Sequence, residues 1–422
     1  MARRVQLTRI LLFIIVIGGA LVFMQGIPSY TGHSVQHTAS SQIVAARERE
    51  SPAATTRSSL LQPPSPTPSW QHVIDGQRDI IAQELADYQY KDTTLEELLA
   101  ASGGAPRRSL VVTTWRSGST FLGDVLNSHP AMFYHYEPLM DFGIRRARDG
   151  ELLDKAVNNL HNLMNCKYDT MGEYISYSRG HTYVFLHNSR LWRYCRGGQW
   201  PACWRAQFLA AFCRLFPFQT AKTVRLPLAG AGALLTRLPD LRVLLLVRDP
   251  RGTMQSRRHR TWCPGNADCD DPARLCADLE RDFETASRLG QTYGTHRLRV
   301  VRYEDFSVNV AASVPALMEF VGLQYHPRVR DFVKTHTTFS KGGVSSTFRN
   351  STTAPFNWAR SLSWTEVNNI QTKCANAMRI WKYKILKKKE WEVLNTNVDL
   401  SLKPTMFLDK FSLQNMLGNN EE

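Results

Sequence analysis

Acidic side chains are what this sequence is short of. Asp and Glu number 37 against 52 Lys and Arg, a formal net charge of +15 over 422 residues. Such an excess points to an anionic partner: nucleic acid, a membrane face, a nucleotide or an acidic polymer. Cysteine is also sparse, and eight in this length exclude a disulfide-rich mini-scaffold. Apolar residues are not lacking. At 43% hydrophobic and 10% aromatic there is material for a sizeable core, so a collagen, a mucin or a wholly disordered chain is ruled out. The length suits one large domain with appendages or two small ones.

The N-terminus carries an uncharged apolar run from Ile10 to Met24. Arg3, Arg4 and Arg9 precede it, and no charge follows until Arg47. Cations on the amino side of an apolar helix predict a signal anchor with a cytoplasmic N-terminus. No small-x-small cleavage site follows Met24, which favours an anchor over a cleaved signal peptide. The rest of the chain is lumenal on either account. The expected organisation is a cytoplasmic tail (1–9), a transmembrane helix (10–27), a lumenal stem (28–106), a catalytic domain (107–385) and a divergent tail (386–422). Pro, Ser, Thr and Gln dominate the stem to about residue 75, and an amphipathic helix is predicted over Ile80–Leu99 before the break at Gly103-Gly104-Ala105-Pro106. All eight cysteines lie beyond the stem, in an oxidising compartment where disulfides are the default. The 105 pairings they allow are left open. Zinc is disfavoured, because Cys263, Cys269 and Cys276 form no CxxC element and have no HxxxH nearby.

Arg108–Trp115 reads as a buried strand that runs into Arg116-Ser-Gly-Ser-Thr-Phe121 and then into helical spacing at Phe121, Leu122, Val125 and Leu126. A small-residue loop between strand and helix aims backbone N–H groups at one point, a ready anion site. Gly118 allows close approach, Ser117, Ser119 and Thr120 add hydroxyls, and Arg116 adds a bidentate cation. An ordinary turn with solvated polar residues is the alternative. The loop lacks the Lys and second Gly of GxxxxGK[ST], so a nucleotide kinase or ATPase is excluded. A second apolar strand, Leu241–Val247, ends in Arg248-Asp-Pro-Arg251 and a helix start through Ser256. Cations at the carboxyl end of a buried strand sit where open α/β sheets bind ligands, although Arg248 and Asp249 could simply pair to cap the strand. A third strand, Leu298–Val301, leads into Arg302-Tyr-Glu-Asp-Phe306, and Thr347-Phe-Arg-Asn-Ser-Thr352 brings another Arg late in the chain.

In this order, TWRSGSTFLG (114–123), FYHYEPL (133–139), LLLVRDPRGTMQSR (244–257), VRYEDF (301–306) and FRNST…W (348–358) resemble the Golgi carbohydrate sulfotransferases that act on the 6-hydroxyl of galactose, N-acetylgalactosamine or N-acetylglucosamine. The resemblance covers about residues 107–385. It implies an α/β fold with a P-loop-like central parallel sheet flanked by helices. It also implies transfer of a sulfuryl group from 3′-phosphoadenosine 5′-phosphosulfate to a sugar hydroxyl on a glycoprotein glycan or glycosaminoglycan, by a type II Golgi membrane protein without a bound metal. Trp115 and Arg116–Phe121 then match the 5′-phosphosulfate loop. Arg248, Asp249, Pro250, Arg251 and Ser256 match the 3′-phosphate element, with Arg248 and Ser256 as principal contacts. Arg349 and Tyr303 match the later part of the donor site. Arg116 and Glu137 are the expected catalytic residues, Glu137 taking the acceptor proton. Its alternative is a structural role at the helix begun by Pro138, and His129 and His135 are weaker candidates.

The acceptor cleft is expected along Leu139–Pro217, where Trp192, Trp200 and Trp204 could stack on sugar or belong to the core. Asn350-Ser-Thr352 is a glycosylation sequon inside the FRNST motif, where a glycan would obstruct the donor. An inactive relative that binds anionic glycans is the competing function, and homo-oligomerisation stays open. Nucleic acid is excluded as a partner by the lumenal placement, despite the charge runs Arg257–Arg260 and Lys387–Lys389.

Overall fold

A strand buried on both faces tends to read as a near-continuous apolar run, and two strands of this chain carry one, at Leu110–Val112 and Val243–Val247. They are β1 (Arg107–Val112) and β4 (Arg242–Val247). With β2 (Met132–Tyr136), β3 (Phe218–Thr223) and β5 (Leu298–Arg302) they form a five-stranded parallel sheet in the order β2-β3-β1-β4-β5. The computed structural model describes residues 69–90, 93–342, 346–396, 405 and 407–409. The expected cytoplasmic tail, membrane anchor and stem through residue 68 lie outside the described residues. Among the described residues no helix is long and apolar enough to cross a membrane.

Alternation along the strands sorts the core into two layers. Leu110 and Val112 of β1 join Val243, Leu245 and Val247 of β4 on one face of the sheet. Val111, Leu244 and Leu246 point to the other. The first face is covered by α3 (Gly150–Met164), α4 (Leu228–Arg237) and α6 (Pro272–Arg297), and the second by α1 (Trp70–Glu84), α2 (Ser119–Asn127) and α7 (Val310–Val321). Another helix, α5 (Pro250–Arg257), follows β4 directly. Each fully buried Leu or Val contributes roughly 1.5–3 kcal/mol, which makes the central pair the anchor of the domain.

Two expectations are corrected. The helix placed over Ile80–Leu99 instead ends at Glu84, because its apolar stripe runs back through Ile81, Ile74 and Val73, and Ser69 caps its start by accepting from His72 N–H. A separate short helix, Leu95–Leu98, is opened by a Thr94/Glu97 capping box. Val73, Ile74, Ile81, Leu85 and Leu98 of the expected stem are buried in the core. At the other end, Leu386, Leu394, Phe407 and Leu408 are buried, and Phe407 stacks on Phe356 at 4.9 Å. This part of the expected tail belongs to the core. β3 was missed altogether, because its sequence FQTAKT carries no apolar run although all six residues are buried.

All eight cysteines pair: Cys166–Cys213, Cys195–Cys203, Cys263–Cys269 and Cys276–Cys374. The last closes the longest loop, 98 residues, between α6 and the C-terminal helices. Replacing Cys276 and Cys374 together by Ala is expected to lower unfolding free energy by about 2–5 kcal/mol in a denaturant titration. An unchanged midpoint would contradict this assignment.

Candidate active site

Because β1 and β4 are hydrogen-bonded neighbours, with Val112 beside Leu245, the loops leaving their carboxyl ends meet, although about 130 residues separate them in sequence. Thr113 Oγ1 continues the pairing by donating to the Leu246 carbonyl at 2.6 Å. Arg248 Nη1 then donates to the Arg116 carbonyl at 2.8 Å, and Arg116 Nε donates to Ser256 Oγ at 3.0 Å. The two anion-binding segments are thus joined by hydrogen bonds.

The first loop is shaped to receive a ligand. Gly118 adopts φ +91° as the residue before α2, and a Cβ there would lie 2.3 Å from the Tyr303 ring. No side chain caps the helix, so its first N–H groups face the loop. Ser117 is 1% exposed and its hydroxyl has no hydrogen-bond partner among the described residues, as expected of a donor that meets a ligand. Ser119 is buried, Thr120 lines a cavity described below, and Phe121 packs on Phe306 and Phe332. Trp115 is buried, and its carbonyl accepts from Arg257 Nε at 3.0 Å. Its place is structural support under the loop.

Cations converge on this point. Arg248 lies 4.6 Å over the Tyr303 ring, and Gly252 lets its guanidinium rest against α5. Burial, helped by Arg260 and Arg248, pulls the Arg116 guanidinium down to about 10, so it stays charged at neutral pH. Arg260 in turn is held below its ordinary value by burial and by Arg349. Four arginines that repel one another make a site for a multiply charged anion. Sequence reasoning placed Arg116, Arg248 and Arg349 here but left Arg260 in a charge run. Only the loop after α5 folds Arg260 inward.

Other predicted residues lie elsewhere. Asp249 does not pair with Arg248. It chelates Arg251, whose Nε and Nη2 donate to both carboxylate oxygens, while Arg251 Nη1 donates to Gln371 and the guanidinium stacks 4.0 Å over Trp358. Arg251 is 0% exposed and its donors are spent inside the protein. Asp249 and Arg251 therefore shape the turn without facing the loop, and Pro250 starts α5.

Glu137 is buried at the end of β2. Lys222 Nζ of β3 donates to its Oε1 at 2.7 Å, Arg225 Nη1 to its Oε2 at 2.9 Å, and Val224 N–H to Oε2 at 3.4 Å. Both Glu137 (φ +45°) and Arg116 (φ +66°) hold left-handed backbone conformations, rare outside glycine and frequent at functional sites. Lys222, which also sits 4.4 Å over the Tyr136 ring, went unnoticed in the sequence because β3 did. His129 and His135 are buried, and desolvation holds them down at about 3 and about 4, so both stay neutral within the core. Of the tryptophans, Trp200 is buried against Phe208 and Trp204 stacks on Phe185 with Nε1 donating to the Gly198 carbonyl. Trp192 packs partly buried on the same core. They are core residues rather than an open sugar platform.

The open space adjoining the loop is a cavity of about 290 Å³ lined by Arg116, Thr120, Asp124, Tyr136, His187 and the segment Ser346–Phe348. Arg116 and Thr120 bring the first loop to it, and Tyr136 and His187 bring the end of β2 and the segment after Tyr183–Leu186. Among the described residues no cluster of side chains has the composition to hold a metal ion.

These features define a basic crevice at the carboxyl ends of β1 and β4, suited to an anionic ligand, with an open cavity beside it. The sequence profile described as the sulfotransferase family matches residues 110–327, and the chain belongs to that family. Among similar proteins, carbohydrate sulfotransferase 6 of Homo sapiens is 26% identical over 348 residues, covering 72% of this chain and 87% of that protein. Carbohydrate sulfotransferase 1 of Mus musculus is 26% identical, covering 73% and 88%. A solved structure, the sulfotransferase domain of the Synechococcus PCC 7002 olefin synthase, aligns at 15% identity and TM-score 0.34 over 64% of this chain and 95% of its own.

Gly118→Ala is expected to weaken binding of 3′-phosphoadenosine 5′-phosphate by roughly tenfold or more, measured by calorimetry, through backbone strain and the collision with Tyr303. Retained affinity would show that the loop does not carry the anion. A second expectation concerns Glu304, whose Oε1 accepts from Asp249 N–H and whose Oε2 accepts from the Tyr383 hydroxyl. Burial, with Asp249 nearby, pushes its carboxyl up from 4.5 to about 7. Between those values the unfolded chain releases the proton while the folded protein keeps it, so this residue makes stability fall as pH rises from about 4.5 to 7. Glu304→Gln should flatten that slope in urea unfolding curves, and an unaltered slope would refute the assignment.

Proposed function

We propose that the chain transfers a sulfuryl group from 3′-phosphoadenosine 5′-phosphosulfate to a sugar hydroxyl, the 6-hydroxyl of N-acetylglucosamine, galactose or N-acetylgalactosamine, on a glycan or glycosaminoglycan. The observation that carries the donor is the junction of the Arg116 loop with Arg248 and Ser256, where a buried hydroxyl lacks an acceptor. Relatives that share most of their length with this chain are named as carbohydrate sulfotransferases, which supports a sugar as acceptor. Four disulfides suit an oxidising lumen. With the apolar run at 10–24 they support a Golgi protein held by a type II anchor, its catalytic domain on the lumenal side.

The donor supplies an activated sulfuryl group on a phosphate leaving group. Arg116, Ser117 and the first N–H groups of α2 hold the 5′ side, where charge grows as the bond to phosphate breaks. Arg248 and Ser256 hold the 3′-phosphate, with Arg349 beside them, and Tyr303 closes the site under Gly118. The acceptor oxygen forms its bond to sulfur as the phosphate oxygen departs, and Glu137 takes the proton. Lys222 bridges these tasks. Its ammonium neutralises Glu137 in the absence of ligand, and turning toward the sulfonate would release Oε1 to act as base.

The test is transfer of radiolabelled sulfate by the full chain to a panel of saccharides. Arg116→Ala and Arg248→Ala should each lower kcat/KM at least about a hundredfold with the circular dichroism spectrum unchanged. Glu137→Gln should lower kcat about 10²- to 10⁴-fold with donor-product affinity kept. Wild-type turnover in the two arginine variants would remove this reading. Donor binding without transfer to any sugar would favour a glycan-binding relative instead.

A further inference from the structure

Two residues that line the cavity together with Arg116, namely Asp124 and His187, lie outside every sequence motif. His187 lies just after the short helix Tyr183–Leu186, where Tyr183 and Leu186 are left exposed. Its ring is fixed from several directions. Nδ1 is 2.9 Å from Asp124 Oδ1, on the second turn of α2. The ring stacks on Tyr136 with centroids 3.8 Å apart and planes 19° from parallel. Its backbone carbonyl accepts from Asn127 Nδ2 at 2.5 Å, and the next residue, Asn188, donates from its side chain to the Tyr134 carbonyl. Asp124 and Asn127 are both on α2, so His187 is tied to the element that starts at the anion loop.

Only Nε2 remains. It makes no hydrogen bond among the described residues, and His187 and Asp124 both line the cavity. With Asp124 accepting from Nδ1–H, neutral imidazole offers a lone pair at Nε2, and imidazolium offers an N–H. A sugar hydroxyl is donor and acceptor at once and can bond to either form. The group is preorganised, so little side-chain entropy is lost when it engages a ligand.

We propose that His187 is the acceptor-positioning residue: Nε2 hydrogen-bonds a hydroxyl of the acceptor sugar and holds its ring in the cavity that Arg116 also lines, with Asp124 fixing the imidazole. This rests on the sulfuryl-transfer reading and assigns its acceptor side. Glu137 stays the proton acceptor, and His187 sets where the sugar lies.

The experiment exploits which nitrogen each amide can replace. In His187→Asn the amide N–H can replace Nδ1 toward Asp124, but nothing replaces Nε2. In His187→Gln the longer amide can reach the Nε2 position. Initial rates of the full chain are measured against the best saccharide of the panel at saturating donor, and 3′-phosphoadenosine 5′-phosphate affinity is measured by calorimetry. His187→Asn is expected to raise acceptor KM about five- to twentyfold, with kcat within about threefold and donor-product affinity unchanged. His187→Gln should recover a large part of the loss. A merely structural histidine would not move acceptor KM alone or be rescued by Gln. Unchanged acceptor KM in His187→Asn, a fall confined to kcat, or a loss of donor-product affinity would each overturn the assignment. Those outcomes concern His187 alone, whereas turnover by Arg116→Ala and Arg248→Ala would overturn the sulfuryl-transfer reading itself.

Discussion

Everything functional in this protein depends on the parallel pairing of β1 with β4. Each strand is buried on both faces, and pairing is the way their backbone groups can be satisfied there. The hydrogen-bond register sets where each chain leaves the sheet, so it also sets the distance between Arg116 and Arg248. Neither loop alone makes more than one anion subsite. Joined, they bring Arg116, Arg248 and Ser256 into one hydrogen-bonded group.

The cost of that arrangement is electrostatic, and the structure meets it locally. Arg116, Arg248, Arg260 and Arg349 share a small region and disfavour one another's charge. Neighbouring arginines that serve the scaffold are neutralised in place. Arg251 is chelated by Asp249, and Arg146 and Arg148 are tied to Asp278, Asp282 and Asp268 on and beside α6. The division is one of place: the arginines paired with Asp249, Asp268, Asp278 and Asp282 build the frame, and Arg116, Arg248, Arg260 and Arg349 gather at the crevice. A second compensated group, Glu137 with Lys222 and Arg225, sits at the end of β2.

Much of this was legible beforehand. Leu110–Val112 and Val243–Val247 announce buried strands, and RSGSTF announces a loop that lacks a Walker lysine. The segments that were misread share a cause. FQTAKT is buried through side-chain partners, Lys222 with Glu137 and Gln219 with the Cys166 sulfur, rather than through apolar character. The helix at Trp70–Glu84 was displaced because its buried face lies on residues that sit in a stem-like composition. His187 and Asp124 gave no signal, since their meaning is a 2.9 Å contact across 63 residues.

The sequence by itself determined the class of fold, the two anion loops and the oxidising setting of the cysteines. Those follow from local properties: hydrophobic runs, small residues between strand and helix, and residue chemistry. Tertiary structure decided which cations face the ligand and which are consumed. It chose Cys276–Cys374 and the other pairs from many, packed the tryptophans against the core, and brought a histidine and an aspartate together at one cavity. Long-range contacts carry no period and no spacing along the chain. They arise when buried surfaces are matched, and only then does a side chain acquire the neighbours that give it a task.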